Sequence, residues 1–216
     1  MASRFARLAL LLLALSVVPP TARAGSIGGT VTCQTSGLLY ANSTVQAQVF
    51  ILVLEAVVNV GGNLSPVTLH WTFPSGDPGS ATMGAQASEA FAIAVAAGST
   101  VTFSCGGGEA LTWSLTTGSG GGRFDCAQAP FAGSGTFLDN LSGISGNLLV
   151  SLGGNQPNAR PITVSVAWTD PQGQSHSARV GNIFSVGGAI SLGTGGALSY
   201  TCDTPVAGSW SFSIAP

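Results

Sequence analysis

The chain has 216 residues, of which only 6% are charged, against about 25% in an ordinary soluble domain. It has no lysine, six arginines and eight acidic residues. Binding to nucleic acid or to an anionic membrane surface needs clustered cations, so this balance excludes both.

Residues 1–24 read as a secretory signal peptide. Arg4 and Arg7 form a basic start, Leu8 to Val18 is an apolar core, and Ala22-Arg23-Ala24 is a small-x-small cleavage site. The core is shorter than the ~20 residues of a membrane span, so cleavage after Ala24 and an exported chain of 192 residues are expected. The destination is then extracellular or the cell surface, with the periplasm as a stage in transit.

Gly28 to Gln34 reads as a first strand carrying Cys33, followed by a Ser36-Gly37 turn. From Val45 the chain alternates apolar and polar residues, then becomes apolar on both faces over Val49, Phe50, Ile51, Leu52, Val53 and Leu54. Gly61-Gly62-Asn63 ends that run. Val67 to Phe73 alternates again and stops at the Pro74–Gly79 turn cluster. Thr82–Met83 and Glu89–Val95 form a blander pair, Val101 to Cys105 is a late strand, and Leu111 to Leu115 closes the half.

The second half repeats the first. Trp71 and Cys105 stand 34 residues apart, as do Trp168 and Cys202, and a further Trp follows each Cys by eight residues, at Trp113 and Trp210. Glycines dominate 118–122, which reads as a flexible linker and places domains at 25–117 and 123–216. Phe124-Asp125-Cys126 matches Val31-Thr32-Cys33, and Leu152-Gly153-Gly154-Asn155 matches Val60-Gly61-Gly62-Asn63. Ile162 to Trp168 matches the strand ending at Trp71, with a five-residue insertion around Pro157 to Pro161. This alignment sets Leu141 to Gly146 against Val49 to Leu54, so the doubly apolar run is unmatched. It packs either on the sister domain or on another chain, because a strand apolar on both faces needs cover on both.

Four cysteines in an exported chain imply two disulfides. The duplication selects Cys33–Cys105 and Cys126–Cys202, which keep each half self-contained. Many short strands, frequent turns and no amphipathic helix predict an all-β chain of two tandem antiparallel β-sandwiches, one disulfide each. Tyr200 two residues before Cys202, Phe103 in the matching place, and Val31-Thr32-Cys33-Gln34-Thr35-Ser36-Gly37 resemble the immunoglobulin-like superfold. The resemblance implies immunoglobulin-like sandwich domains. In this chain the Trp follows the first Cys by 38 or 42 residues.

No catalytic constellation is apparent. His70 and His176 are not equivalent in the repeat, there is no G-x-S-x-G or H-E-x-x-H, and the acids are scattered. No enzyme activity, cofactor or metal is expected. Trp113 and Trp210 are candidates for stacking on a sugar, or else core. Asn42, Asn63 and Asn140 begin N-x-S/T sequons. The expected function is a non-catalytic structural or surface protein, self-assembling as a filament, coat or matrix subunit or an adhesin. Its expected partners are further copies or other surface proteins. The alternative is a secreted module that recognises a glycan or protein.

Overall fold

The computed structural model describes residues 27–33, 36–57, 65–84, 86–106, 110–126, 133–154, 163–181, 185–202 and 207–214. The expected signal peptide, the Asn63 sequon and the Pro157–Pro161 insertion lie outside the described residues. As expected, the described chain is all-β. No helix among the described residues is long and apolar enough to cross a membrane.

The first half contributes β1 (Ile27–Thr32), β2 (Gly37–Ala41), β3 (Gln48–Val57), β4 (Val67–Thr72), β5 (Pro78–Met83), β6 (Ser88–Val95), β7 (Thr100–Ser104) and β8 (Ala110–Thr116). The second contributes β9 (Ser119–Asp125), β10 (Ser134–Leu141), β11 (Gly146–Gly154), β12 (Thr163–Thr169), β13 (Ser175–Gly181), β14 (Ser185–Leu192), β15 (Ala197–Cys202) and β16 (Ala207–Ile214). They form three sheets. One has eight strands in the order β1-β8-β3-β6-β10-β15-β12-β13, and two have four, β2-β7-β4-β5 and β14-β11-β16-β9.

Taken by halves, the order is the same: first, eighth, third and sixth strands in one sheet, second, seventh, fourth and fifth in the other. This is the order of a jelly roll, two Greek keys folded into a double sheet. It departs from the immunoglobulin order, in which the first strand pairs with the second. Strand periodicity carries no information about which strands become neighbours, so the sandwich was readable and its topology was not.

The turns repeat as well. The Phe73 N–H donates to Asp77 O and the Gly76 N–H to Phe73 O; in the second half Asp170 N–H donates to Gln174 O and Gly173 N–H to Asp170 O. Gly76 and Gly173 adopt φ of 91° and 78°, a left-handed geometry that favours glycine. Disulfides join Cys33 to Cys105 and Cys126 to Cys202, each tying the first strand of a half to the seventh in the opposing sheet. Closing loops of 72 and 76 residues is worth about 4 kcal/mol each on the chain-entropy model.

Two cores result. Phe50, Leu52 and Leu54 of β3 and Phe91, Ile93 and Val95 of β6 face the β2-β7-β4-β5 sheet. Alternate residues point the other way, and Ile51, Val53, Ala90 and Ala92 join the core of the second half. Both faces of β6 are buried along its whole length. The doubly apolar run is therefore covered within the chain, by the sister half on its second face.

The ladders also correct the alignment of that run. Leu52 pairs with Phe91 and Leu115, and Val150 pairs with Gly188 and Phe212. Val49–Leu54 thus corresponds to Asn147–Leu152, not to Leu141–Gly146. The shared Gly-Gly-Asn triplet misled: Gly153 and Gly154 are paired residues of β11, whereas Gly61-Gly62-Asn63 lies outside the described residues.

Candidate functional site

The feature that sets this molecule apart is the joint between its halves. β6, an edge of the first half, pairs in parallel with β10, an edge of the second: Leu138 opposite Ala90, Asp139 opposite Phe91, Asn140 opposite Ala92. Gln86 extends the pairing with its side chain. Its Nε2 donates to Thr136 O at 3.1 Å and its Oε1 accepts the Thr136 N–H at 2.8 Å, so the amide stands in for a further rung.

Glu89 lies in this seam, 3% exposed, and accepts a hydrogen bond from Gln86 Nε2. Burial, followed by the neighbouring Asp139, pushes its carboxyl up to about 9, and the Gln86 bond opposes the rise. Burial also raises Asp139, opposed by its hydrogen bond with Glu89. Glu89 therefore keeps its proton at neutral pH and shares it with Asp139. Tyr200, stacked on Phe137 at 4.3 Å, is pushed up to about 12, first by burial.

A second contact layer is built by β9. The glycines expected as a linker lie largely inside this strand, laid against β3 and β6. Their missing side chains have a reason. A Cβ at Gly120 would meet the Phe212 ring at 2.9 Å and Ile51 at 3.0 Å, and one at Gly122 would meet Ser88 Oγ at 2.2 Å. Composition cannot separate a loose spacer from a strand pressed flat, since both lack side chains. Trp210, 3% exposed, donates its indole N–H to Ser88 Oγ at 3.0 Å, and Ser88 Oγ donates to Arg123 O at 2.6 Å. The Arg123 side chain forms an ion pair with Glu55 and donates to Ala56 O.

At one end of the joint lies an apolar cleft of about 210 Å³. Val49, Ile51, Leu138, Leu148, Ile144 and Ile214 line it, and Val49, Ile144 and Ile214 are 39%, 60% and 45% exposed. Of the run singled out in the sequence, Val49 alone reaches the surface; Phe50, Ile51, Leu52, Val53 and Leu54 are buried. Trp210 is core, and Trp113 is half-buried against the first core, beside Gly29.

The sequon asparagines Asn42 and Asn140 are buried, at 1% and 5% exposure. Asn140 Nδ2 donates to Ile144 O and Gly193 O, while its Oδ1 accepts from the Ser142 hydroxyl. Asn42 does the same with Gln46 O, Ala96 O and the Thr44 hydroxyl. These residues pin the matching loops of the two halves. The sequence signal was present, because N-x-S/T is also the pattern of an Asx turn closed by a hydroxyl.

His70 and His176 are on separate sheets. His176 stacks on Trp168 and its Nε2 lies 2.8 Å from Asp170 Oδ2. The bond to His176, then backbone N–H groups, hold Asp170 below the usual carboxylate range. This pair braces an exposed turn. Among the described residues, no three His, Cys, Asp or Glu side chains converge to hold a metal.

One surface is left uncovered. In the first half Ile51, Val53, Ala90 and Ala92 are roofed by the second half. Their counterparts by register, Leu149, Ser151, Gly187 and Ala189, are exposed, with Leu149 49% accessible.

No family model and no curated protein sequence matches the chain. Among solved structures it is similar to the vicilin of Solanum melongena, at 7% identity over 88% of this chain and 74% of that one, with a TM-score of 0.30. A variant of Bacillus subtilis oxalate decarboxylase gives 3% identity, 89% and 69% coverage, and a TM-score of 0.29. The CBM22-1-CBM22-2 tandem domain of Paenibacillus barcinonensis Xyn10C gives 9%, 88% and 87%, and 0.24. Scores of this size carry no argument about function.

Proposed function

We propose that this chain is a non-catalytic extracellular structural protein, two tandem β-sandwich domains that assemble with further copies of themselves. The observation that carries the reading is the open face of β11 and β14. The first half buries the equivalent face under the second, whereas the second half leaves Leu149, Gly187 and Ala189 uncovered. An apolar and small-residue sheet face beside an edge that no described strand pairs is a surface that recruits another chain. With 6% charged residues, little repulsion opposes close contact. Two disulfides suit an oxidising extracellular setting. The test is size-exclusion chromatography with negative-stain microscopy over a concentration series. Ordered multimers are expected, and a strict monomer at high concentration would sink the reading.

A recognition module is the second reading, favoured by the apolar cleft at Val49, Ile144 and Ile214. Its lining suits an apolar side chain of a protein partner better than a sugar. Binding of an apolar peptide, lost in Ile144→Glu with the fold intact, would favour it. A glycan-array hit lost in Trp113→Ala would instead favour a sugar ligand.

A further inference from the structure

The joint inside the chain is directional, and both of its free ends remain on the surface. It pairs the sixth strand of one half with the second strand of the next. The corresponding strands at the two ends are β14 and β2, each a sheet edge with one partner among the described residues. Their registers agree with those of the joint. Gly187, Gly188 and Ala189 stand where Ala90, Phe91 and Ala92 stand. Tyr40 and Ala41 stand where Leu138 and Asp139 stand, after a register shift at the same place in β2 and β10.

We infer that a second copy of this chain docks its β2 edge, in parallel, on the β14 edge and open face of the first, repeating the internal joint between molecules. The inference rests on the structural role proposed above and specifies its interface. Such a contact is heterologous: it joins two different surfaces and leaves one of each free, so copies add head to tail into a ring or an open filament.

Three observations select this occupant. The exposed apolar residues sit at matching places: Leu149 on the rear face corresponds to Ile51, and Ile27 at the front (52% exposed) corresponds to Gly120, which packs on Ile51 in the joint. On the rear face Ser151 stands in the place of Val53 and Gly187 in the place of Ala90, so the surface offered to a second copy is less filled than the one inside the chain. The polar clasp is retained in the sequence, since Trp113 occupies the place of Trp210 and position 185 again holds serine, as position 88 does. The ionisable groups of the joint are not retained. Glu89, Asp139, Glu55 and Arg123 correspond to Val186, Ala41, Gly153 and Thr30, so the outer joint buries no charge.

The experiment uses two variants of the full chain. A rear-blocked form carries Leu149→Glu and Ala189→Glu, and a front-blocked form carries Ile27→Glu and Leu38→Glu; all four positions are exposed. Circular dichroism checks folding, and sedimentation velocity reads mass. Wild type is expected to polymerise, each variant alone to be monomeric, and an equal mixture to stop at a dimer, a twofold mass, because one competent joint remains. Polymers that persist in both variants overturn this interface and leave the structural role standing. A monomeric wild type overturns both. Variants that stay monomeric when mixed overturn the head-to-tail geometry. Should a variant fail to fold, Tyr40→Cys with Gly187→Cys in one chain should give a ladder of disulfide-linked oligomers on oxidation. A chain that remains single refutes the pairing.

Discussion

Trp210 donates its indole N–H to Ser88 Oγ at 3.0 Å, a bond between residues 122 apart that crosses from one half to the other. Trp210 belongs to the second core, and Ser88 starts the β6 strand that the halves share. A residue that the sequence offered as a sugar platform is thus a clasp. Replacing Ser88 by Ala leaves the buried indole N–H with the longer contact to Arg123 O at 3.3 Å. The expected cost is about 1 kcal/mol, a fall in Tm of roughly 2–4 °C for a chain of this size. Trp210→Phe should cost more, and the double variant less than the sum, as contacting partners do. Additive losses in thermal melts would break the link.

The glycines of β9 make a sharper test. Gly122→Ala would place a Cβ 2.7 Å from Ser88 Cβ, against a strand with no room to withdraw. Overpacking of this kind costs about 1–3 kcal/mol. Ser88→Gly in the same chain vacates the space and should restore part of the loss. By contrast Gly118→Ala, at a position with nothing within 4 Å, should be near neutral. Equal effects at Gly118 and Gly122 would show that the stretch is a spacer after all.

How far the sequence could be read follows from what each signal encodes. Alternation marked the start of β3 and the whole of β4, and the duplicated cysteine frame marked both disulfides, because periodicity and covalent pairing are local or repeated. Strand partners are neither. Nothing in Ser88–Val95 or Ser134–Leu141 announces that they would lie side by side in parallel, and that pairing merges the halves. The doubly apolar run did signal a second covering surface at Ile51 and Val53. What it could not say was whether that surface belonged to the same chain. Glu89 looked like one acid among eight, since what perturbs it, its depth in the seam and the nearby Asp139, is brought about by the fold.

The buried sequons yield a prediction about processing. A glycan on Asn42 or Asn140 is incompatible with the loops they pin, because each amide nitrogen is already donated to two or more carbonyls. Folded protein secreted from a glycosylating host should carry no mass increment at either residue. Asn140→Asp removes the donor and turns a carboxylate toward Ile144 O and Gly193 O, and should cost about 2 kcal/mol or more. Intact-mass measurement and a denaturant titration check the two halves of the prediction.

The Glu89 carboxyl makes stability depend on pH in an unusual direction. In the unfolded chain it titrates in the ordinary carboxylate range; in the fold it holds its proton up to about 9. Below the ordinary range both states are protonated, and this group favours neither. Between that range and pH 9 only the folded chain is protonated, so unfolding releases a proton and each step up in pH weakens the fold. Above about 9 the penalty is complete. Asp139, also raised, adds in the same sense. Glu89→Gln keeps an amide that can donate to Asp139 and an oxygen that can accept from Gln86, and it removes the proton from the balance. The variant should therefore melt higher than wild type at pH 9, by a few degrees. At pH 4 the two should nearly coincide. Melting curves that run parallel from pH 4 to 9 would mean that Glu89 is already ionised in the fold, and that water reaches the seam between the halves.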